Sequence, residues 1–587
     1  MAKSDARFGY RADLGREDHD LSQRFGFTCA PGMLLPIFTD IATPGDSYYI
    51  EHDLEFLRTK PLLSPAMIDV KVHFESFFVP FQMIYQPIEQ TMYSMLNPMS
   101  NFFATSGSAL ANWKNNNFPL LNYATIKGDV HTLLDHSQEH ADCFRISDML
   151  GLNASAWAYD NNNASRFSYS PSFFPWQLLS YQTIWQYYYR LDDKSSFDNT
   201  YCNCDQSYDD ALGFGDDQNF EIHQRPWDFD YFTSMYRSPI VSNASMQKVL
   251  PNAAYNNFNT EKTTPTYSSG GTATNNEETI VFASDMPSSY NAAVIQNGVS
   301  TALIRQMFAN EKLAMITGRA RKTYDSQVLA HFGVKVPHDP KHDITLIGHD
   351  TYKLHIGEVT SLAESSTTPL GELAGKAWAT GKGNKHKFVA PCHGAIMTIF
   401  SVEPMKRYYG GFDRINAVTT AFDIPQPEFD KLGNVPMYRY EAGENAGSGA
   451  VTATDIIGWK ERYYWNKRKH DKVSLAFMVP RTSLGTNAYA AYMISSAPFG
   501  AYTSTNNNTA RPDLESRFYV DRNCMDGLFL LPFINNWQTG GSGEETSENW
   551  NKNPYLAYHR DPFIVDSFMK VKKVSWMSKD GEPIYNF

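Results

Sequence analysis

The stretch VKVHFESFFVP, residues 70–80, decides the fold class of this chain. Its first six residues alternate apolar and polar side chains, and a period of two is typical of a β-strand with one buried and one solvent-facing side. Pro80 ends the strand, because proline lacks the N–H that a sheet ladder needs. A second run shows the same alternation, with Ile50, Leu54 and Phe56 set among acidic residues. Together these runs predict strands of a sheet that is solvated on one face.

Two helices are predicted farther along the chain. Between Leu178 and Tyr188, apolar and aromatic side chains recur at spacings of three and four, which indicates an amphipathic helix. Pro175 falls in its first turn, where a missing N–H does no harm. The second candidate is Ser300–Arg319, whose apolar side is formed by Leu303, Met307, Phe308, Ala314 and Met315.

Further strands are predicted at Gly394–Val402, Val473–Val479 and Phe563–Val574. Gly394–Val402 is almost wholly apolar, which predicts a strand buried on both faces. Strands at both ends of the chain, with helices and loops between them, indicate one all-β-dominated sandwich with long insertions. We therefore expect an N-terminal arm (1–27) that orders only against a neighbouring molecule, the first strands (28–80), long insertions (81–300), and a helix with the remaining strands and loops (301–587).

The composition indicates a folded protein of acidic charge. Aromatic residues make up 14% of the 587 residues and charged residues only 19%, which excludes wholesale disorder. The net charge is −12, whereas a protein that coats DNA unaided should be basic. Six cysteines are too few for a disulfide scaffold, and the N-terminus lacks the apolar region of a signal peptide. We expect reduced thiols in a protein that is not exported.

No catalytic residue, metal site or cofactor is predicted. Four histidines lie between His331 and His349, but two prolines interrupt the helix that would bring them together as ligands. Cys202-Asn203-Cys204 offers two of the four ligands that a closed zinc site needs. Gly371–Lys385 lacks the glycine and hydroxyl positions of a P-loop, and it is predicted to be a mobile basic loop.

Two basic runs are candidates for nucleic-acid contact, Arg319–Lys322 and Lys467–His470. Cations beside aromatic rings suit single-stranded nucleic acid, which needs phosphate pairing and base stacking. A solvated strand face or an ion-pair patch between subunits is the simpler explanation of either run. The second run adjoins aromatic residues and is the better candidate for an interior DNA contact, made by Tyr463, Tyr464, Trp465, Lys467, Arg468 and Lys469.

A series of short segments occurs in a fixed order from about residue 28 to residue 575. The segments are APGMLLP (30–36) with PGD (44–46), FP (174–175) with YQTI (181–184) and YYYR (187–190), DYFTS (230–234), HFGV (331–334), ERY (461–463) and DPFIV (561–565). The ordered set resembles the major capsid proteins of microviruses, the small tailless bacteriophages with circular single-stranded DNA genomes. The resemblance is to the gokushovirus-like branch in particular.

This resemblance implies a fold and an assembly. The fold would be an eight-stranded viral jelly-roll β-sandwich with long insertions that contain a few helices. About sixty copies would form a T=1 icosahedral shell around the genome, with no enzymatic activity and no cofactor. A small basic virion protein would neutralise most of the DNA charge.

The resemblance also implies further partners and a place of assembly. These partners are a minor (pilot) protein and a receptor on the surface of the bacterial host, and no membrane is involved. The subunits would assemble in the host cytoplasm and reside in the virion. One insertion would protrude from the shell toward the host, with its exposed loop at Thr260, Thr266, Ser269, Gly271, Asn275 and Glu278.

A different class of protein also fits the composition. Acidic, tyrosine-rich β-sandwiches bind carbohydrates or cleave glycosides, and a glycosidase needs two facing carboxylates about 5–10 Å apart. Sequence alone does not give that distance. A capsid protein should form uniform particles, whereas such an enzyme should form a small oligomer.

Overall fold

The computed structural model describes residues 16–62, 66–85, 88, 121–122, 145–152, 172–191, 222–236, 301–321, 323–360, 373–405, 407–408, 412–430, 433–442, 456–474, 495–496, 518–520, 522, 524–525, 528 and 561–577. Strands dominate these residues. In chain order they are β1 (Glu17–Asp20), β2 (Gln23–Cys29), β3 (Leu35–Ala42), β4 (Ser47–Thr59), β5 (Val70–Pro80), β6 (Leu121–Asn122), β7 (Ser172–Phe173), β8 (Thr345–Lys353), β9 (His355–Thr360), β10 (Leu373–Gly381), β11 (Lys385–Val389), β12 (Gly394–Pro404), β13 (Arg407–Tyr408), β14 (Asn434–Tyr438), β15 (Ile456–Glu461), β16 (Ser495–Ser496) and β17 (Phe563–Ser575).

The helices of the described residues are short, with one exception. They are α1 (Phe81–Ile84), α2 (Trp176–Ile184), which continues as a π-helical turn (Trp185–Tyr189), α3 (Thr301–Arg319), α4 (Tyr324–Phe332) and α5 (Tyr464–Lys467), with 3₁₀ turns at Arg414–Asn416, Ala421–Asp423, Pro427–Phe429 and Arg439–Ala442. The long helix α3 confirms the helix predicted at Ser300–Arg319.

Two antiparallel sheets form the sandwich. In the first sheet β1, β17, β4, β10 and β9 follow one another, while β11 also pairs with β4 and β2 also pairs with β17. The second sheet has the order β3, β12, β5 and β8. The predicted fold class, an all-β-dominated jelly-roll sandwich with insertions, is confirmed. The two sheets hold eleven strands in the described residues instead of eight; in the first sheet β1 and β2 pair with successive parts of β17, and β11 and β10 pair with successive parts of β4.

The core lies between the two sheets. Phe27 on β2 packs edge-on against Phe400 on β12 with ring centroids 5.0 Å apart, and Phe74 on β5 packs against the same ring at 5.1 Å. Edge-to-face pairs of this kind add to the free energy gained by burying the rings. All residues of β12 are buried, as predicted for Gly394–Val402, since α2 contacts the face of β12 that points away from the first sheet.

The outer face of β5 is not solvated, and this prediction is wrong. Of the three polar members of the alternating stretch, His73 and Glu75 are only 5% and 2% exposed, and Lys71 is half-buried. Insertion residues cover this face, and both Arg225 and Tyr189 donate hydrogen bonds to Glu75. The alternation in the sequence therefore reflects a buried polar layer and not a contact with water.

A β-bulge changes the facing of side chains in β4. Its pairing with β17 shifts by one residue between Leu54 and Phe56, and such a shift turns the following side chains to the opposite face. Leu57 is therefore fully buried, whereas Phe56 is 43% exposed. The predicted inward facing is confirmed for Ile50 and Leu54 and is wrong for Phe56.

The helix α2 is buried more completely than the predicted amphipathic helix. Every residue from Leu178 to Ile184 is buried, because α2 lies against β5 and β12 while its Tyr181 hydroxyl meets the backbone of His223. Pro175 stands at the N-cap, immediately before the first turn. The apolar spacing located the helix correctly, but both of its sides are covered by protein.

Two segments predicted to be mobile are strands of the first sheet. The strand β1 and the first five residues of β2 fall within the predicted arm (1–27), and both strands pair with β17 of the same chain, so this part of the arm is ordered by its own subunit. Most of Gly371–Lys385 forms β10, in which Ala377 and Ala379 are buried. Pairing with β4 and β9 decides the conformation of this stretch, since alanine and glycine have little preference for strands.

The remaining expectations have mixed outcomes. The predicted strand Phe563–Val574 is confirmed by β17, while Val473–Val479 lies outside the described residues beyond Ser474. Most of 81–300 is likewise outside them, so the four-region division stays a prediction. In the part of the chain that the structure describes, no helix is both long and apolar enough to span a membrane.

Candidate functional site

A buried ionic junction joins an insertion to the outer face of the second sheet. Arg225 Nη1 donates to Glu75 Oε2 over 2.8 Å, and Arg225 Nε lies 3.5 Å from Glu403 Oε2. Tyr189 also donates to Glu75, and His73 Nε2 lies 3.1 Å from Glu403 Oε2. None of these five side chains is more than 13% exposed. The junction therefore fixes the insertion to β5 and β12 through charged groups inside the protein.

The protonation states of the junction follow from burial and charge. Burial by itself raises the pKa of the Glu75 carboxyl, but the Arg225 charge and the hydrogen bonds outweigh it, so the pKa is lowered. The pKa of Glu403 is lowered in the same way, with His73 as its hydrogen-bond donor. Burial lowers the pKa of His73, so its ring is neutral at neutral pH. The junction thus holds one arginine cation between two carboxylates.

The APGMLLP segment supplies the backbone side of this junction. Gly32 N–H donates to the Val402 carbonyl over 2.8 Å, and the Gly32 carbonyl accepts from Arg225 N–H over 2.7 Å. Gly32 has φ +76°, and a Cβ at this position would lie 2.5 Å from Val520 Cβ. Only glycine satisfies both the backbone angle and the space. The segment is therefore explained by close docking between distant parts of the chain.

A second buried ion pair anchors the DPFIV segment at the start of β17. Asp561 accepts two hydrogen bonds from Arg145, at 2.6 and 3.1 Å, and a third from the Thr28 hydroxyl at 2.7 Å. Bidentate pairs of this kind are among the strongest polar contacts in proteins. The neighbouring Cys29 is buried, and burial together with the Asp561 charge raises the pKa of its thiol. Cys29 is thus a protonated thiol with low reactivity.

The DYFTS segment forms a tight turn. Asp230 Oδ1 accepts from the backbone N–H groups of Phe232 and Thr233, each over 2.8 Å, while Asp230 Oδ2 accepts from the Tyr408 hydroxyl. The turn places Tyr231 and Phe232 in a second apolar cluster, separate from the sandwich core. The same cluster contains the aromatic part of the predicted DNA contact.

The three aromatic residues of the predicted DNA contact are packed inside this second cluster. Tyr463, Tyr464 and Trp465 are 3%, 0% and 6% exposed. Lys460 is fully buried, its Nζ lies 4.8 Å from the ring centroid of Tyr231 and 5.5 Å from that of Tyr464, and burial lowers its pKa to about 8. Base stacking requires an open ring face. In the described structure these rings hold the cluster together instead.

The three cations of the same prediction lie on the surface. Lys467 pairs with Asp430, and Arg468 Nε lies 3.8 Å from Glu461. Lys469 borders a cleft of about 300 Å³. Carboxylates also line this cleft, from Asp228, Asp230, Glu403 and Asp471. Phosphate groups would meet like charge in the cleft, and a DNA contact at these cations stays a prediction.

The same carboxylates bear on the glycoside-cleaving alternative. Asp228 pairs with Lys71 over 2.6 Å, Asp230 is engaged by the turn and by Tyr408, and Glu403 by His73. A glycosidase needs one carboxyl group free to give a proton and another free to attack or to activate water. These three already have partners within the protein, so the cleft does not favour that alternative.

Comparison with known proteins decides the family. A family described as "Capsid protein (F protein)" matches residues 11–138 and 170–539. The chain belongs to this capsid protein family. It is also 25% identical over 252 residues to capsid protein VP1 of Chlamydia phage 1, an alignment that covers 40% of the chain and 41% of that relative. The chain thus spans about two fifths of the length of the curated relative it matches.

Membership in the capsid family settles the coarse function. The resemblance to microvirus capsid proteins is confirmed. A capsid protein has a structural role, and this chain has that role at the level of the family. The buried junctions agree with such a role, since they hold segments of one subunit together.

The histidines of this capsid protein between His331 and His349 have separate partners. In order, His331, His338, His342 and His349 contact Thr317, Thr345, Asp339 and His73 at 3.0, 2.8, 2.7 and 3.0 Å. The four side chains thus contact four different residues. Cys202-Asn203-Cys204 lies outside the described residues, as do all six residues of the predicted protruding loop, Thr260, Thr266, Ser269, Gly271, Asn275 and Glu278.

A different histidine group lies in the core of the capsid protein. Asp350 Oδ2 accepts from His52 Nδ1 over 2.7 Å and from His386 Nε2 over 2.9 Å, and Ser76 Oγ lies 2.6 Å from His52 Nε2. Two imidazoles and a carboxylate are possible zinc ligands. The short N–O distances are those of charge-assisted hydrogen bonds. These hydrogen bonds link the two sheets, because His52 and His386 lie in the first sheet and Asp350 lies in the second. Burial lowers the pKa of His52, whereas hydrogen bonds overcome burial to lower that of Asp350.

Sequence reasoning missed the residues that form the junctions. Arg145, Arg225 and Asp350 each find partners that are tens or hundreds of residues away. The sequence has one weak local signal, at Arg225-Pro226-Trp227. In this run a charged residue is next to apolar residues, shortly before the DYFTS segment. That signal indicates burial of the arginine but does not identify its partner.

Proposed function

We propose that this chain is the major capsid protein of a microvirus-like bacteriophage, and that about sixty copies form a T=1 icosahedral shell around a circular single-stranded DNA genome. The observation that carries the proposal is the family match, which extends over residues 11–138 and 170–539. The order of the short motifs along the chain supports it. The structure supports it further, because two of those motifs, APGMLLP and DPFIV, build internal junctions of a subunit.

The mechanism is association between subunits. A stable protein interface buries roughly 1,200–2,000 Å² in total. Each subunit of a closed shell has several interfaces, so moderate individual contacts add up to a stable particle through multivalency. Buried, paired charges hold the segments of the sandwich in fixed positions. Each interface can therefore form between rigid surfaces.

The genome needs cations that the subunit as a whole does not supply. A net charge of −12 repels the phosphates, so a small basic virion protein is proposed as a partner. Lys467, Arg468 and Lys469 are proposed as local DNA contacts at the inner surface. Tyr463, Tyr464 and Trp465 would then act as the packed base of that patch and not as stacking platforms.

Attachment to the host is proposed for the insertion within 81–300, with Thr260–Glu278 at its exposed tip. The resemblance to the microvirus family supports this placement, together with a minor (pilot) protein and a receptor on the bacterial surface as partners. Assembly is proposed to take place in the cytoplasm of the host bacterium.

Particle formation tests the proposal against the carbohydrate alternative. The full-length chain is expressed alone, separated by size-exclusion chromatography and screened on a glycan array. We expect a large, uniform particle fraction and no glycosidase activity. A small oligomer that cleaves glycosides would contradict the proposal.

A further inference from the structure

The hairpin of helices α3 and α4 exposes large apolar side chains. Phe308 is 66% exposed, Tyr324 78% and Phe332 77%. The helix α4 buries none of its residues. Aliphatic side chains on the same hairpin and just after it are exposed as well, namely Leu313, Leu329 and Val334. A helix normally buries an apolar stripe against its own protein, but among the described residues this surface has no covering partner.

The exposed hairpin is nevertheless well formed. Gly333 ends α4 in the left-handed conformation at φ +68°, and its N–H donates to the Leu329 carbonyl over 3.0 Å. Gln327 donates to the carbonyls of Thr317 and Arg321 at 3.1 and 2.8 Å, which ties α4 to the end of α3. The hairpin therefore presents its apolar side chains on a fixed backbone.

The exposed apolar surface is large enough for an interface. Three aromatic side chains that are two-thirds to three-quarters exposed offer roughly 300–500 Å². The aliphatic side chains add to that area. One side of a standard interface buries about 800 Å², so the hairpin supplies a large part of one side. Apolar patches of this size are about the largest that monomeric proteins expose, and they are often functional.

The charge of the hairpin indicates an acidic occupant. Between Thr301 and Val334 the sequence has five Lys and Arg against two Asp and Glu, in a chain whose net charge is −12. The rest of the chain therefore has a more negative net charge than the whole chain. A second copy would bring that negative charge to the hairpin. Arg305, Lys312 and Arg319 are exposed on the hairpin.

Single-stranded DNA is the other acidic occupant to consider. It would use cations and aromatic faces, but it has no use for Leu313, Leu329 and Val334, which offer no stacking surface. Aromatic side chains together with arginine are enriched at the centres of protein interfaces. The mixture of exposed aliphatic, aromatic and cationic side chains therefore favours a protein partner.

We propose that the α3–α4 hairpin is an interface between copies of this chain, in which Phe308, Tyr324 and Phe332 enter an apolar depression rimmed by carboxylates on the neighbouring copy. The inference rests on the proposed capsid function, which supplies the second copy. It adds the surface and the side chains through which two subunits meet.

The test compares substitutions that remove apolar surface with matched ones that keep it. Phe332→Asp and Tyr324→Asp are made in the full-length chain, with Phe332→Leu and Tyr324→Phe as controls. Self-association is measured by sedimentation velocity over a concentration series, folding by thermal melting of the subunit, and DNA binding by the fluorescence anisotropy of a labelled single-stranded oligonucleotide. We expect the Asp variants to need at least a tenfold higher concentration to associate, with an unchanged melting temperature, and the controls to associate as the wild type does.

Each contrary outcome points to a different error. Asp variants that associate like the wild type overturn the interface, and so does a wild-type chain that stays monomeric at every concentration. Asp variants that melt several degrees lower overturn it as well, because the hairpin is then covered within its own subunit. Normal association with lost binding to a single-stranded oligonucleotide assigns the surface to DNA. A wild type that forms only small oligomers, weakened by Phe332→Asp, keeps the interface and contradicts the shell.

Discussion

Glu75 on β5 and Arg225 in an insertion form a buried ion pair with 2.8 Å between Oε2 and Nη1, although 150 positions separate them in the chain. The pair attaches the insertion to the second sheet. Glu403 on β12 flanks the same guanidinium. Because both side chains are charged and buried, removing either one leaves the other as an unpaired charge inside the protein.

The first prediction concerns this pair. Arg225→Met should lower the free energy of unfolding by about 3–5 kcal/mol, since Glu75 stays buried without its cation. Adding Glu75→Leu in a double variant should recover part of the loss. Arg24→Met is the matched control, because Arg24 is 62% exposed and pairs only at the surface, and it should cost less than about 1 kcal/mol. Denaturant unfolding measures all three, and equal losses for Arg225→Met and Arg24→Met would contradict the account.

The second prediction separates backbone strain from steric exclusion at two glycines. Gly32 and Gly151 have similar φ values of +76° and +72°, but a Cβ would collide with Val520 only at Gly32. Gly151→Ala should cost about 1–2 kcal/mol from the left-handed conformation alone. Gly32→Ala should cost about 2 kcal/mol more, because it also overpacks the docked segment. Thermal melting of the two variants compares their losses of stability. A larger loss for Gly151→Ala than for Gly32→Ala would show that the APGMLLP segment is not closely docked.

The third prediction uses Cys29 as a reporter of the Arg145–Asp561 pair. Asp561→Ala should open the start of β17 and make Cys29 accessible to alkylation, which mass spectrometry of the labelled peptide detects. In the wild type, burial protects this thiol. Asp566→Ala is the control, because the Asp566 side chain is 43% exposed and its partner Arg24 lies at the surface. Rapid labelling of Cys29 in the wild type would refute the buried state.

The fourth prediction is a loss of stability in mild acid. Burial lowers the pKa of His52 below its unfolded value of about 6.5. As the pH drops from about 7 to 5, His52 therefore binds a proton in the unfolded chain but not in the folded chain. The free energy of unfolding falls over this range as a result. His52→Asn, whose amide can still donate to Asp350, should reduce this slope by up to about 1.4 kcal/mol per pH unit.

The matched control for the acid prediction is Asn384→Ala. The Asn384 amide donates to the same Asp350 over 2.8 Å but carries no titrating proton, so its loss should lower the free energy of unfolding at every pH and leave the slope as in the wild type. Unfolding by denaturant at a series of pH values gives both slopes. The same slope in His52→Asn and in the wild type would mean that His52 is protonated in the folded protein.

The sequence predicted those parts of the fold that depend on local patterns. The apolar run at Gly394–Val402 located β12, and the spacing of apolar residues located α2 and α3. Phe56 was misassigned because a bulge depends on the partner strand. Residues 17–29 are strands because β17 is present to pair with them, and no pattern within those residues shows it.

The candidate site was less predictable for a related reason. A run of aromatic residues beside cations, such as Tyr463, Tyr464 and Trp465, has the same sequence pattern whether its rings stack on bases or fill a core. Only the tertiary packing distinguishes these two roles. Charged residues such as Glu75 are usually exposed, and the arginine that allows this one to be buried is far away in the chain. The helix at Ser300–Arg319 is predicted with an apolar side, but the exposure of Phe308 on that helix is visible only in the folded structure.

The most direct test of the central claim is negative-stain electron microscopy of the full-length chain, expressed alone and also mixed with circular single-stranded DNA. The account predicts closed shells of one diameter. A chain that remains a monomer or a small oligomer under both conditions would contradict the claim that it builds a shell by association with its own copies.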